Sequence, residues 1–243
     1  MNKRNVVNKD HFVPKFYLRN WYSSDNKLRS ARIDIQGKNL QWKPFTTTQI
    51  CYEKGLYKEQ EESFYKPLDN DCTNFVREIL SKKDFGKIQK LDIGSKGHEL
   101  WAKYVLSQII RTPTNVNRIK NEYSEISESI VLEVITNAAT DHRALLNLRS
   151  LTWVVGYLSC DQQLITSDNP TIFEPQDLSR PDCYIVMPLS PKHFFLATRE
   201  ENLDRFPSDP EEMVKFINGY IYRSASKRII ACEPSKVVGL ERA

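Results

Sequence analysis

The hydrophobic period of this chain changes twice, and those two changes bound what it can fold into. From about residue 59 to residue 150, apolar side chains recur at helical spacing. Cys72, Phe75, Val76, Ile79 and Leu80 make one stripe. Trp101, Ala102, Val105, Leu106, Ile109 and Ile110 make a stronger one, opened by Gly94-Ser95 and stopped by Thr112-Pro113. Residues 115–139 read as one long helix with Ile119, Tyr123, Ile126, Ile130 and Val134 inward. Thr140-Asp141 then caps a shorter helix over Ala144, Leu145 and Leu148. On both flanks the period falls to two. Ala31, Ile33 and Ile35 alternate, Gln36-Gly37-Lys38-Asn39 supplies turn chemistry, and Leu40-Gln41-Trp42 returns as a hairpin. Residues 46–57 read as a further strand. After residue 150, short apolar runs at 152–158, 163–166, 184–187 and 194–198 are separated by proline-bearing loops. A helix begun by Asp209-Pro210-Glu211-Glu212 follows, then a closing strand over 228–232. The expected class is α+β: a central helical bundle packed against a mixed or antiparallel sheet built from the N-terminal hairpin and the C-terminal strands.

The 243 residues are 40% hydrophobic, enough to bury one large core. A basic, partly disordered tail is expected over 1–10 and a single α+β domain over 11–243. A run of about 18 apolar residues, which a membrane-spanning helix needs, is absent. The N-terminus lacks the apolar stretch of a secretory signal. The five cysteines are odd in number and contain no C-x-x-C pair, which fits reduced thiols and a cytoplasmic protein. The net charge of +4 is concentrated at one end. Residues 1–29 hold seven basic side chains against Asp10 and Asp25, a segment suited to meeting phosphate, as in nucleic acid or a nucleotide.

Several polar residues sit where a strand or helix ends. In Leu164-Ile165-Thr166-Ser167-Asp168-Asn169-Pro170 the proline stops the strand abruptly, so Ser167, Asp168 and Asn169 face a cleft or else fold back as an Asx turn. Asp168 suits a metal ligand or a partner that orients a histidine, and Glu53 is the candidate second carboxylate of a divalent-metal site. His11, just before the proline-led segment Val13-Pro14-Lys15-Phe16-Tyr17, suits a general base, a metal ligand, or a ring bonded to backbone. Gln108 and Arg111 share one face at the end of a core helix, where a guanidinium either caps carbonyls or grips phosphate or carboxylate in a fork. Ser190, in Met187-Pro188-Leu189-Ser190-Pro191, ends another strand. Phosphate-loop, dinucleotide and zinc-ligand motifs are missing.

Taken in order, His11-Phe12-Val13-Pro14-Lys15-Phe16-Tyr17-Leu18, Arg111-Thr112-Pro113, Thr166-Ser167-Asp168-Asn169-Pro170 and Pro188-Leu189-Ser190-Pro191 resemble the pattern of the domain of unknown function 4238 family. The resemblance spans roughly His11 to Cys232. It implies one domain, and it implies that His11, Arg111, Ser167, Asp168, Asn169 and Ser190 belong to the family pattern. It implies no activity.

Three functional expectations follow. The first is a hydrolase acting on a phosphate-containing substrate, with His11, Asp168 and Arg111 catalytic, Gln108, Ser167, Asn169 and Ser190 binding substrate, and Asp168 with Glu53 holding a divalent metal. The second is a non-catalytic nucleic-acid- or protein-binding module, with Tyr22, Trp42 and Tyr52 as stacking surfaces. The third makes His11, Arg111 and Asp168 parts of a buried structural network.

Overall fold

A computed structural model describes residues 9–34, 39–57, 60–81, 89–91 and 94–240. Residues 1–8 of the expected tail and 35–38 of the expected hairpin turn lie outside the described residues.

The two flanks of the chain meet in one antiparallel sheet. Strands β2 (Leu28–Arg32), β3 (Lys43–Phe45), β7 (Thr166–Ser167) and β11 (Arg228–Ala231) run in the order β3-β2-β11-β7. Ala31 stands opposite Ile229, so the N-terminal hairpin and the closing strand share a sheet as expected. A second antiparallel sheet orders β5 (Gln89–Lys90), β6 (Thr152–Tyr157), β10 (His193–Thr198), β9 (Tyr184–Pro188) and β8 (Ile172–Glu174). Every residue of β10 is buried, as in a strand covered on both faces. Gly156 of β6 lies opposite Phe194, and a Cβ there would come within 2.2 Å of that ring, so glycine makes the room for it. A third, two-stranded sheet pairs β1 (Lys9–His11) with β4 (Tyr52–Lys54).

The helices are α1 (Lys15–Arg19), α2 (Lys66–Ser81), α3 (Gly94–Ile110), α4 (Pro113–Glu122), α5 (Glu128–Ala138), α6 (His142–Ser150) and α7 (Pro210–Ser224). A π-helical turn, Glu61–Tyr65, leads directly into α2. Helix α3 is the central member. It packs on α2, α5 and α6, and Trp101 meets Phe195 of the second sheet edge-on at 5.5 Å. The expected caps form: Asp141 accepts from Ala144 N–H at 2.8 Å, and Asp209 accepts from the N–H groups of Glu211 and Glu212 at 3.0 Å. The five cysteines are free thiols. Among the described residues no helix is long and apolar enough to cross a membrane.

Four elements differ from expectation. The strand over 163–166 is reduced to an isolated bridge at Gln163 and the two residues of β7, because the backbone of Leu164 and Ile165 bonds instead to Pro191 and to the Asn218 side chain. The strand over 46–57 shrinks to β4, because Cys51 takes a left-handed φ of 54° that a strand cannot continue through. The return strand of the hairpin is β3 rather than residues 40–42, and Pro44 is tolerated there because β3 is a sheet edge. The long helix over 115–139 is two helices. Backbone turns at 123–126 and an extended Ser127 restart the helix as α5, so that Val131, Leu132 and Ile135 face inward and Tyr123, Ile126, Ile130 and Val134 do not.

Candidate functional site

Arg111 is a fully buried cation, and the site is assembled around it. Asp69 of α2 lies on the buried stripe with Leu68 and Cys72, one face of the helix that packs on α3. Its carboxylate receives the Arg111 guanidinium as a fork, with Nη2 to Oδ1 at 3.0 Å and Nη1 to Oδ2 at 3.2 Å. The amide of Gln108 is satisfied only with Oε1 turned to the guanidinium, where it accepts from Nε at 2.6 Å. The rings of Tyr65 and Tyr104 close over the cation at 5.4 and 5.9 Å. The carbonyl of Arg111 accepts from the Tyr57 hydroxyl, and the Tyr57 N–H donates to Asp10 at 3.0 Å. Burial works against the charge of so deep a guanidinium, but Asp69, with Tyr104 and Tyr57, more than offsets it, so Arg111 keeps its proton.

This network floors an open cleft of about 600 Å³ between α1 and the π-turn with α2. Asp10, Glu61 and Asp69 line its depth, His11 its wall, and Lys15 and Arg19 its rim. Burial pushes the Glu61 carboxyl up to about 7, with Arg111 pulling it down and Asp10 and Asp69 adding to the rise. Its Oε2 is buried and has no hydrogen-bond partner among the described residues. The π-turn that carries it is the kind of helix irregularity that concentrates at functional sites. Burial and the charge of Lys15 lower His11 to about 4, so at neutral pH its ring is uncharged. Its two nitrogens face carbonyls, Nε2 3.1 Å from that of Thr47 and Nδ1 3.3 Å from that of Lys9, and the single N–H of the uncharged ring donates to one of them.

The rim is held by the far end of the chain. Tyr17 and Leu18 of α1 are buried, and the Tyr17 hydroxyl donates to the Pro188 carbonyl at 2.5 Å and lies 2.8 Å from Thr166 Oγ1. Asn20 donates to the Leu189 carbonyl at 3.0 Å. That pinning leaves Lys15 and Arg19, four apart and on one face, directed at the cleft, with no ion pair among the described residues. Two like charges at that spacing repel, which is a reason for an anion to settle between them.

The other expected residues lie elsewhere. Asp168 and Glu53 line a separate hollow of about 300 Å³ with Cys51, Lys227 and Arg228. Asp168 spends both carboxylate oxygens on backbone: Oδ1 accepts from Ser226 N–H at 2.9 Å, and Oδ2 accepts from Lys227 at 2.7 Å and Arg228 at 3.2 Å. It ties the turn before β11 to β7. Asp168→Ala is therefore expected to cost about 2 kcal/mol in urea denaturation, with Asp168→Asn retaining part of that; a loss within error would remove the tie. Ser167 exchanges hydrogen bonds with the backbone of Asn169, and Asn169 donates to the Ser224 carbonyl at 3.2 Å. Ser190 Oγ lies 2.8 Å from His193 Nδ1 and accepts from the N–H groups of Lys192 and His193. Both are buried in the β9–β10 turn, and neither lines the two clefts above. His11, Arg111 and Asp168 thus do not share one opening: His11 faces the large cleft, Arg111 is sealed beneath it, and Asp168 faces the smaller hollow. Among the described residues no three His, Cys, Asp or Glu side chains are grouped to hold a metal ion.

Lys15 and Arg19 belong to the basic segment expected to meet phosphate, whereas sequence reasoning missed Asp10, Glu61 and Asp69 as site residues. Asp69 left a signal, a carboxylate on an apolar helical stripe, matched by the arginine that ends the strongest stripe. Glu61 left none, because its environment is assembled from distant segments.

No curated protein and no solved structure matches the chain. A family model does match, over residues 9–235, and so takes in both the cleft and the tie at Asp168. The chain belongs to the family described as protein of unknown function (DUF4238).

Proposed function

We propose that the chain is a hydrolase of a phosphate-containing substrate, a nucleotide or nucleic acid, working in the cleft between α1 and α2. The observation that carries this reading is Glu61: a carboxyl raised to about 7, with an Oε2 that has no hydrogen-bond partner among the described residues, in the same cleft as Lys15 and Arg19, which form no ion pair among the described residues. Lys15 and Arg19 bind the phosphate and offset charge that develops on it. Glu61 in its ionised form takes a proton from the attacking water. The new O–P bond forms as the bond to the leaving oxygen breaks, and that oxygen takes a proton from solvent in the open cleft. Arg111 and Asp69 are positioning residues that hold the floor. The acid–base work falls to Glu61, and a divalent metal enters only as an arm of the test.

The test is turnover of phosphomonoesters, phosphodiesters, nucleoside triphosphates and single-stranded RNA, each with and without Mg²⁺ or Mn²⁺. Glu61→Gln is expected to lower kcat by about 100-fold or more. Lys15→Ala with Arg19→Ala is expected to act mainly through KM. Nucleotide or RNA binding that depends on Lys15 and Arg19, with no turnover under any condition, would replace hydrolysis by a binding module.

A further inference from the structure

Helix α1 brings an aromatic ring to the cleft beside its two cations. Phe16 lines the cleft together with Lys15 and Arg19. Arg19 is three residues from Phe16 and four from Lys15, so it neighbours both along one side of the helix. The Phe16 ring is half-buried, and Tyr104 packs on it with ring centroids 5.7 Å apart. The ring is thus held from within while part of it stays open to the cleft. On the α2 wall, Asn70 is exposed, and its side-chain amide makes no hydrogen bond among the described residues. An aromatic platform, an amide that both donates and accepts, and a pair of cations match the three parts of a nucleotide: base face, base edge and phosphate.

We infer that the cleft takes a nucleoside bearing a single terminal phosphate, with its base on Phe16, the base edge at Asn70 and the phosphate between Lys15 and Arg19. This rests on the reading of the cleft as a phosphate hydrolase site and names its substrate class. Charge sets the number of phosphates. A terminal phosphate carries about −2 above pH 7, which Lys15 and Arg19 together offset. The other two cations of the cleft are engaged: Lys66 pairs with Glu62 at 2.8 Å, and the Lys9 ammonium lies over the Tyr52 ring at 4.2 Å. Asp10, Glu61 and Asp69 line the depth, where they repel any further phosphate. The volume of about 600 Å³ is that of a small-ligand site. In the reaction, water adds to phosphorus as the ester bond to the sugar oxygen breaks. That oxygen leaves with a proton from solvent, and the products are inorganic phosphate and a free sugar hydroxyl.

Titration calorimetry at pH 8 on the full chain carrying Glu61→Gln tests the binding. The probes are adenosine and uridine 5′-monophosphates, ribose 5-phosphate, adenosine 5′-triphosphate and a 5′-phosphorylated oligonucleotide. The better monophosphate is expected to bind at least about tenfold tighter than ribose 5-phosphate, the worth of one stacked base. The triphosphate is expected to bind no tighter than adenosine monophosphate. An oligonucleotide that binds as well as the monophosphate makes the ligand a phosphorylated strand end, and one that does not makes it the free nucleotide. Phe16→Leu keeps apolar packing on Tyr104 but removes the ring, and Asn70→Ala changes an exposed residue. Each is expected to shrink the preference for nucleotide over ribose 5-phosphate by about fivefold or more. Equal binding of nucleotide and ribose 5-phosphate overturns the inference. So does a triphosphate that binds tenfold tighter than the monophosphate, a preference that survives both variants, or no binding of any probe. Phosphate release by the wild-type chain separates this inference from hydrolysis itself. A base preference in binding without release keeps the ligand and removes the reaction, whereas equal release from nucleotide and ribose 5-phosphate keeps the reaction and removes the ligand.

Discussion

At pH 8, Glu61→Gln is expected to melt 2–4 °C above wild type, an increment of about 1 kcal/mol for a chain of this size, and to lose the hydrolysis proposed above. The sign follows from the direction of the shift. Glu61 moves from 4.5 to about 7 on folding, so the folded state holds its proton more tightly than the unfolded state does. Its contribution to stability is fully present below pH 4.5 and is lost as the pH rises through about 7. Above that, a buried carboxylate without a partner at Oε2 works against folding, and an amide does not. The whole shift would correspond to about 3 kcal/mol, but the side chain is partly open to water and solvent screening leaves about 1. His11 runs the other way. Its folded value, about 4, lies below 6.5, so its contribution is lost as the pH falls from 6.5 through 4. In wild type the two slopes oppose each other between pH 4.5 and 6.5. In Glu61→Gln only the His11 slope is left, so the advantage of the variant should be absent at pH 4.5 and complete by pH 8. Thermal melts across that range decide it, and a variant no more stable than wild type at pH 8 removes the case for Glu61. The same ionisation should appear in the rate, which falls below about pH 7 as the base is protonated.

Arg111→Met is expected to cost 3–5 kcal/mol in urea denaturation, about the loss seen when one partner of a buried ion pair is removed. Methionine fills much of the volume, so the cost is electrostatic. Asp69 loses both guanidinium contacts, Gln108 loses its donor, and the carboxyls of Asp69 and Glu61 are left without the nearby cation. Adding Asp69→Asn to Arg111→Met should recover a large part of the loss, because it removes the stranded charge. Losing the cation also removes the largest influence that holds Glu61 down, so the acidic limb of the pH–rate profile should move upward in Arg111→Met. A loss under about 1 kcal/mol would mean that the pair is not the buried anchor its geometry describes.

Much of the fold was legible because it is written locally. The stripes of α2 and α3, the caps at Asp141 and Asp209, and the stop at Thr112-Pro113 each depend on a few neighbouring residues. The shared sheet of β2 and β11 was legible because both flanks alternate and the middle does not. Which way α5 faces was not, since two apolar lines run along it and only packing against α3 chooses between them. The site was legible in part. His11, Gln108 and Arg111 were picked out as polar residues at element ends; His11 lines the cleft, and Arg111 with Gln108 lies buried behind Asp69, which does. Asp168 stood out for the same reason, but a carboxylate at a strand end is as well used by backbone N–H groups as by a ligand, and here backbone has it. The role of Glu61 depends on Asp10, Asp69 and Arg111, brought together from 10 to 111 along the chain, and no local string encodes that.

The pairing of β2 with β11 has a consequence for biosynthesis. Roughly 200 residues separate the two strands, and α1 likewise waits for Pro188 and Leu189 before Tyr17 and Asn20 have their acceptors. On the ribosome the early segment emerges with an open strand edge and with a Tyr17 hydroxyl and an Asn20 amide whose acceptors appear only in the last quarter of the chain, although Phe16 can already meet Tyr104. Such long-range closure makes folding slow and leaves the nascent protein sticky. A chaperone that shelters the first fifty residues during translation would act on the part of the molecule that waits longest for its neighbours.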